Sequence, residues 1–397
     1  MKKRKNILFI ASRLPINTET GDRLRTYHFI RKLVDRGHRV DVLGFVPAGG
    51  YEIRTNIENL CGRCIGIERS DLEFEKPSRM QQLYLFAESF FSGYPYRVWH
   101  LHDRQLEARA EKMTKEYEYD IIHLSVIDSA MVFRALKKAN IEATFVFDFI
   151  DSLALSLKSS PHKKWSIRGL VRLIDYYRLK KFEQQILQET DQAIFISNRD
   201  KQFLNDEQAW VIPNGVKQQK VQNRPRDIDI LFTGNMAAKP NVDAAFWFAK
   251  NIMPAIREHN KSFQFYIVGT HPPKKIRSLA GDHIQVTGFV DDINEYYQRA
   301  KVFVCPMRYG AGQKNKILEA MMNRAPVVST TEGNIGIDAP PNVITLADSA
   351  ESFSKQVLSL LNDEKQRNQM AQNGHQFVHN NFYWERSVNL LEECYEA

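Results

Sequence analysis

Short runs of β-branched and aromatic residues alternate with stretches of helical period along the whole chain, and the alternation runs through two series. Strands buried on both faces read as continuous apolar runs, and parallel neighbours need a crossover, usually a helix, between them. In the first series, strands are expected at Asn6 to Ser12, Arg39 to Val46, Asp120 to Ser125, Ala143 to Asp148, Gln192 to Ser197 and Trp210 to Pro213. Helical periods fall between them at Arg23 to Asp35, Pro77 to Phe91, Asp103 to Glu116, Ser129 to Ala139 and Ser166 to Gln188. A polar stretch, Lys217 to Asp227 with Pro225 inside it, has no apolar period and suits a linker. The second series places strands at Ile228 to Thr233, Phe263 to Val268, His283 to Thr287, Val302 to Pro306, Ala325 to Ser329 and Val343 to Leu346. The last helices are expected at Ser352 to Leu361, Glu364 to His379 and Tyr383 to Glu396.

This pattern reads as α/β, with two Rossmann-like doubly wound domains facing across a cleft at their strand ends. The expected division is 1–216 and 217–379, with residues 380–397 returning to pack on the first domain. At 397 residues the chain exceeds what a single core usually supports.

Composition excludes several classes. No stretch approaches the roughly 18 apolar residues of a membrane span. Basic Met1 to Lys5 precedes apolar Ile7 to Ala11, but that run is shorter than a signal core of roughly 7 to 15 residues. It reads as the first strand, and the expected location is cytoplasmic. Cys61, Cys64, Cys305 and Cys394 are too scattered for a disulfide framework, and the lone Cys-x-x-Cys pair offers half of a structural zinc site. The net charge of +8 is concentrated, because Lys158 to Lys181 holds eight Lys or Arg residues against the single acid Asp175. A local patch of that kind is a poor match to a nucleic-acid partner.

Doubly wound sheets hold ligands beyond the carboxyl ends of their strands, where helix N-termini offer unpaired N–H groups to anions. Three turns have the composition for this. The first strand runs into a loop ending at Gly21, ahead of a helix that carries Arg25. Gly234 follows the first strand of the second series, with Lys239 at the next helix start. The third turn, Arg308 to Ala320, contains Gly310, Gly312, Lys314, Asn315 and Lys316, with Glu319 three residues after Lys316 on the same face. Each turn has a plain alternative: a glycine serving loop geometry, a solvated lysine, an exposed salt bridge.

At these residues the sequence resembles the retaining nucleotide-sugar glycosyltransferases of family four, which have the two-domain GT-B fold. It is most similar to the bacterial exopolysaccharide-associated sugar transferases of polysaccharide biosynthesis. The matching pieces are Thr20 to Arg25, Phe147 to Ser152, Val211 to Val216, Phe232-Thr233-Gly234 with Pro240-Asn241, Val286-Thr287-Gly288 with Asp291-Asp292, and Gly312 to Ala320. The resemblance implies a donor diphosphate held by Gly21, Lys239 and Lys316, and a ribose bound by Glu319. Arg25, Gly234, Gly312 and Asn315 are counted with the donor set. It also implies that His123 lines the acceptor side; the plain alternative is a satisfied core histidine. Many members carry a glutamate eight residues before the ribose-binding one, and Ala311 stands there in this chain.

The growing charge on a leaving diphosphate can be neutralised by oriented N–H groups and lysines. The sequence has no Asp-x-Asp in a credible metal-binding loop, so no metal and no cofactor are expected. The expected donor is a UDP-sugar carrying a hexosyl or N-acetylhexosaminyl group, and the acceptor a glycan, polysaccharide or lipid-linked hydroxyl. Asp148 and Asp151, at the end of an interior strand, are candidates for an acceptor contact or a base, or equally for helix caps. In the basic segment, Ile167, Leu170, Val171, Ile174 and Tyr177 fall at helical spacing, with Trp165 near the start. Such a helix lies either on an anionic membrane surface or on its own domain with its cations in water. Two other readings stay open: a sugar-nucleotide epimerase of the same fold, and a non-catalytic binding or partner protein, which Ala311 motivates.

Overall fold

A computed structural model of the chain describes residues 3–16, 20–47, 57, 59–69, 79–159, 167–222 and 224–397. The fold divides into two compact units, Met1–Ile212 with Ser387–Ala397, and Pro213–Arg386.

The first unit is built on a parallel sheet of seven strands: β1 (Asn6–Ala11), β2 (Arg39–Pro47), β3 (Arg63–Arg69), β4 (Ile121–Ser125), β5 (Thr144–Ile150), β6 (Gln192–Phe195) and β7 (Trp210–Val211). Their order across the sheet is β3-β2-β1-β4-β5-β6-β7, so the winding direction reverses between β1 and β4. Ile7 to Ala11 pair with Val40 to Gly44 on one side and with Ile121 to Ser125 on the other. The central strands are buried throughout, which is why they read as unbroken apolar runs.

The second unit repeats the plan with β8 (Ile228–Thr233), β9 (Phe265–Val268), β10 (Ile284–Gly288), β11 (Ala300–Cys305), β12 (Val327–Ser329) and β13 (Thr345–Leu346). The order is β10-β9-β8-β11-β12-β13, and the reversal falls between β8 and β11. Phe232, Phe248, Phe265, Val304 and Leu318 are fully buried in its core. Both units are therefore Rossmann-like, as the two-series pattern predicts. The last helix, Trp384–Glu396, buries Val388, Leu391, Cys394 and Tyr395. Its Glu392 accepts from Arg36 at 2.8 Å, and the Lys5 ammonium donates to the Tyr395 carbonyl at 2.9 Å.

Strand β3 is absent from the sequence expectation. It lies at the sheet edge, is only half-buried, and carries Arg63, Glu68 and Arg69, so it lacks the apolar signature of the interior strands. The helices Tyr96–His100 and Leu153–Ser159 are likewise additions to the expected set.

Candidate active site

In an open α/β sheet the ligand crevice lies beyond the strand ends where the winding reverses. In the second unit that position is bounded by the turn after β8 and the loop after β11, and two of the expected donor residues, Lys316 and Gly234, meet there with Asn241. Lys316, on the helix Asn315–Met322, donates to Asn241 Oδ1 at 2.7 Å, and its ammonium lies 4.5 Å from the centre of the Phe232 ring. Asn241 is held in turn by donating to the Asn235 carbonyl at 2.8 Å. Gly234 leaves the space: a Cβ there would stand 2.7 Å from Lys316 Nζ and 2.9 Å from Asn241 Nδ2. Any larger residue would displace the ammonium.

Burial pushes the Lys316 pKa down to about 8, with Lys314 pressing the same way and the Glu319 carboxylate holding it up. The site therefore keeps a cation that is short of a full counter-charge. Glu319, one turn on, accepts from the buried Tyr297 phenol at 3.0 Å, and that phenol also shares a 2.7 Å hydrogen bond with Thr233. Burial raises the pKa values of both Glu319 and Tyr297, so Tyr297 stays a phenol that fixes one oxygen of the carboxyl group.

Lys314 plays a different part from its neighbour. Its ammonium donates to the carbonyls of Gly310, Ala311 and Gly312 at 3.0, 3.1 and 2.7 Å, which folds the loop around its own cation. Gly312 turns there with a left-handed φ of +72°. Gln313 accepts from the Asn214 amide at 2.8 Å, and Asn214 Nδ2 donates to Asn315 Oδ1 at 3.3 Å, so the Pro213-Asn214-Gly215 turn braces the start of the helix. Arg308 closes the other side with a forked ion pair to Asp243.

The helices beginning at Gly21, Lys239 and Asn315 all start without a capping side chain. Asp103, Ser197, Asp292, Ser349 and Asp363, by contrast, each accept a hydrogen bond from their helices. The uncapped ends leave N–H groups available to an anion. Lys239 is exposed at the first position of its helix, and Gly21, also exposed, opens its own. Residues 17–19, in the loop before Gly21, are outside the described set.

In the first unit, Arg25, His123 and Asp148, expected on the donor and acceptor sides, are all buried. Their exposures are 0, 0 and 1%, and they are engaged with one another. Arg25 donates to Asp148 Oδ2 at 2.7 Å and to the Ile212 carbonyl at 2.8 Å, while Asp148 Oδ1 accepts from the Ile150 amide at 3.0 Å. His123 stacks on Phe9 and shares a 2.9 Å hydrogen bond between Nδ1 and the Tyr395 hydroxyl. Burial, reinforced by Arg25, lowers the His123 pKa well below its ordinary value, so the ring is neutral. These contacts form a buried network joining four distant segments of the first unit.

Asp151 remains near the surface. It follows Ile150, which has a left-handed φ of +63°, and the matching turn after β4 passes through Val126 at +69°. Backbone of this kind in β-branched residues is held in place only by its surroundings, and it occurs preferentially at functional edges. Arg97 grips Asp128 at 3.0 and 3.2 Å, and the charges of Asp151 and Asp22 also bear on that guanidinium. Arg97 and Asp128 had no signal in sequence, because they lie 31 residues apart and belong to no shared motif.

Cys61 donates to the Ile57 carbonyl at 2.9 Å and Cys64 lies in β3, both half-buried and unoxidised. Among the described residues, no three His, Cys, Asp or Glu side chains are grouped to hold a metal ion. Nor is any described helix long and apolar enough to cross a membrane.

Residues 24–220 match the sequence model of the family described as Glycosyltransferase Family 4, and residues 227–363 match that of Glycosyl transferases group 1. Among solved structures, sucrose-phosphate synthase from Thermosynechococcus elongatus superposes with a TM-score of 0.73 at 16% identity, covering 99% of this chain and 98% of that one. Anabaena HepE in complex with UDP and glucose superposes at 0.67 with 14% identity, covering 99 and 100%. Among curated proteins, an uncharacterized protein in the cps region of Klebsiella pneumoniae is 25% identical over 39% of this chain and 42% of its own length. An uncharacterized glycosyltransferase of Methanocaldococcus jannaschii is 22% identical over 56% of this chain and 62% of its own length. The matched region thus spans less than two thirds of either curated relative.

The two tandem family matches place this chain among the glycosyltransferases by sequence, and the solved structures share its fold. More narrowly, it is a family-four-like glycosyltransferase, with a Family 4 domain followed by a group 1 domain.

Proposed function

We propose that this chain transfers a sugar from a nucleoside diphosphate sugar to a hydroxyl acceptor, with the donor held by the second unit. The observation that carries the reading is the meeting of Lys316, Gly234, Asn241 and the uncapped start of the helix Asn315–Met322 at the reversal of the sheet. A half-buried ammonium beside a helix start with no capping side chain is a site for an anion whose charge grows during reaction, and such preorganised groups do most where charge develops. Lys239, Gly312 and Asn315 complete the anion side. To Glu319, with one oxygen fixed by Tyr297, we assign the vicinal hydroxyls of a ribose, on the family-four resemblance.

UDP is the diphosphate we favour, because HepE, of like fold, has been solved with UDP and glucose. A hexosyl or N-acetylhexosaminyl group, retention of anomeric configuration, chemistry without a metal, and a glycan or lipid-linked acceptor of polysaccharide biosynthesis belong to the same proposal. They rest on the family-four resemblance. On the acceptor side we assign Asp151 in place of Asp148 and His123, since Asp151 is near the surface beside the Arg97–Asp128 pair.

Ala311 favours one rival, a protein that binds the donor without turnover. Here the position expected to touch the sugar offers a methyl group, and its carbonyl is taken by Lys314. Incubation with UDP-, GDP- and ADP-sugars, followed by assay of released nucleotide, separates the two. Slow release from one donor class supports transfer; tight binding with no release in the presence of any hydroxyl acceptor supports the rival.

A further inference from the structure

Helix Ile167–Glu189 leads two lives along its length. Its second half sends Leu179, Phe182 and Ile186 into the core of the first unit. Its first half turns Leu170, Leu173, Ile174 and Tyr177 outward, each between 38 and 63% exposed. Their spacing of i, i+3, i+4 and i+7 puts them on a single stripe. The neighbouring helix Arg79–Ser92 adds Phe90 and Phe91, the latter 88% exposed. Arg178 binds the two helices together by donating to the carbonyls of Ser89 and Tyr94 at 2.5 and 2.7 Å. Isolated exposed apolar residues need no explanation, but a joined patch of this kind marks an interaction surface.

The geometry points to an anionic lipid bilayer as the occupant of this face, a partner independent of the donor site in the second unit. The charge around the patch selects it. Among the described residues, the segment from 158 to 181 carries Lys158, Arg172, Arg178, Lys180 and Lys181 against the single acid Asp175. On the helix, Arg178 and Lys180 flank the stripe, and Lys181 continues it four residues after Tyr177. The acid, Asp175, is turned away to accept from the Tyr96 amide at 3.0 Å, while Glu88 is the acid on the neighbouring helix. A second copy of the chain would bring the same excess of cations against itself across a two-fold contact, where like charges oppose association. An anionic headgroup layer is complementary to the cations and can accept the aromatic and aliphatic side chains at its acyl boundary. Of the stripe expected from sequence, Leu170, Ile174 and Tyr177 face outward and Val171 is half-buried. Lys163, Lys164 and Trp165 lie outside the described residues, as do the side chains of Ile167 and Arg168.

The test is co-sedimentation of the full chain with vesicles of phosphatidylcholine, alone or mixed with phosphatidylglycerol. Binding is expected only to the mixed vesicles and should weaken with added salt. Lys180→Gln with Lys181→Gln should lower the partition coefficient at least about tenfold, since a cation near an anionic surface is worth roughly fivefold. Leu173→Glu with Tyr177→Glu should abolish binding while the melting temperature and nucleotide titration stay at their wild-type values, because both side chains are exposed. No binding of the wild-type chain to mixed vesicles overturns the inference. So does equal binding by both double variants, or a dimer in solution that Leu173→Glu with Tyr177→Glu converts to monomer.

Discussion

The ammonium of Lys316 lies 2.7 Å from the side-chain oxygen of Asn241, a neutral partner, on the far side of the sheet's reversal from its own strand. A neutral acceptor orients a cation without cancelling it, and that leaves the charge for a ligand. The arrangement costs stability in the empty protein, because burial, the main cause, with Lys314 beside it, moves the Lys316 pKa to about 8.

Lys316→Met should therefore keep or raise the melting temperature, since a hydrocarbon of similar length replaces a half-buried charge. Thermal denaturation at pH 7 checks this. A large drop would mean that Lys316 serves the fold.

Nucleotide binding should weaken as pH climbs past about 8. A bound diphosphate favours the charged lysine, so binding takes up a proton wherever the empty site has lost one. In the fold itself the sign is opposite. The folded pKa lies below the ordinary value of 10.5, so folding releases a proton, and this group's contribution to stability rises with pH across that interval. Calorimetric titration of UDP at a series of pH values, with buffers of different ionisation enthalpy, reads the proton directly.

Tyr297→Phe should raise the donor dissociation constant roughly five- to tenfold through loss of the bond that fixes Glu319, about 1 kcal/mol or slightly more. The same change with UMP in place of UDP would be expected, because the effect belongs to the ribose. An effect confined to the diphosphate would reassign Glu319.

Asp148→Asn should lower stability by about 3 kcal/mol or more, measured by chemical denaturation, because it leaves the fully buried Arg25 guanidinium without its carboxylate. A variant that kept wild-type stability and lost only turnover would return Asp148 to the reacting groups.

Glu183 offers a pH test in the first unit. It is fully buried, accepts from Ser152 Oγ at 2.7 Å and from the Leu153 amide at 2.8 Å, and burial raises its pKa to about 8. The folded state keeps a proton that the unfolded chain gives up near 4.5, so its stabilising contribution is present below that value and is lost as pH climbs to about 8. Glu183→Gln should flatten the fall in melting temperature between those limits.

The parts legible in sequence were those with local causes. Central strands such as Ile228–Thr233 declare themselves by burial on both faces, and the three turns with Gly21, Gly234 and Gly312 by glycine next to a helix start. Edge strand β3 did not, because one of its sides meets water and its residues are mixed. Lys314 and Lys316, two residues apart, look alike in sequence, and only the folded loop shows that the first is tied to its own carbonyls. His123 lies in the middle of β4 and Asp148 two residues before the end of β5. Their burial depends on Arg25 and on Tyr395, which is 272 residues from His123. Tyr297, which orients Glu319, carried no signal at all, since a buried tyrosine in a helix is ordinarily core.

The most direct measurement compares uridine with UDP on the wild-type chain and on Lys316→Met by calorimetry. The proposed site predicts that wild type prefers UDP and that the variant loses roughly 1.5 to 3 kcal/mol of that preference while uridine binding is unchanged. An undiminished preference for UDP in Lys316→Met would place the diphosphate elsewhere and contradict the site.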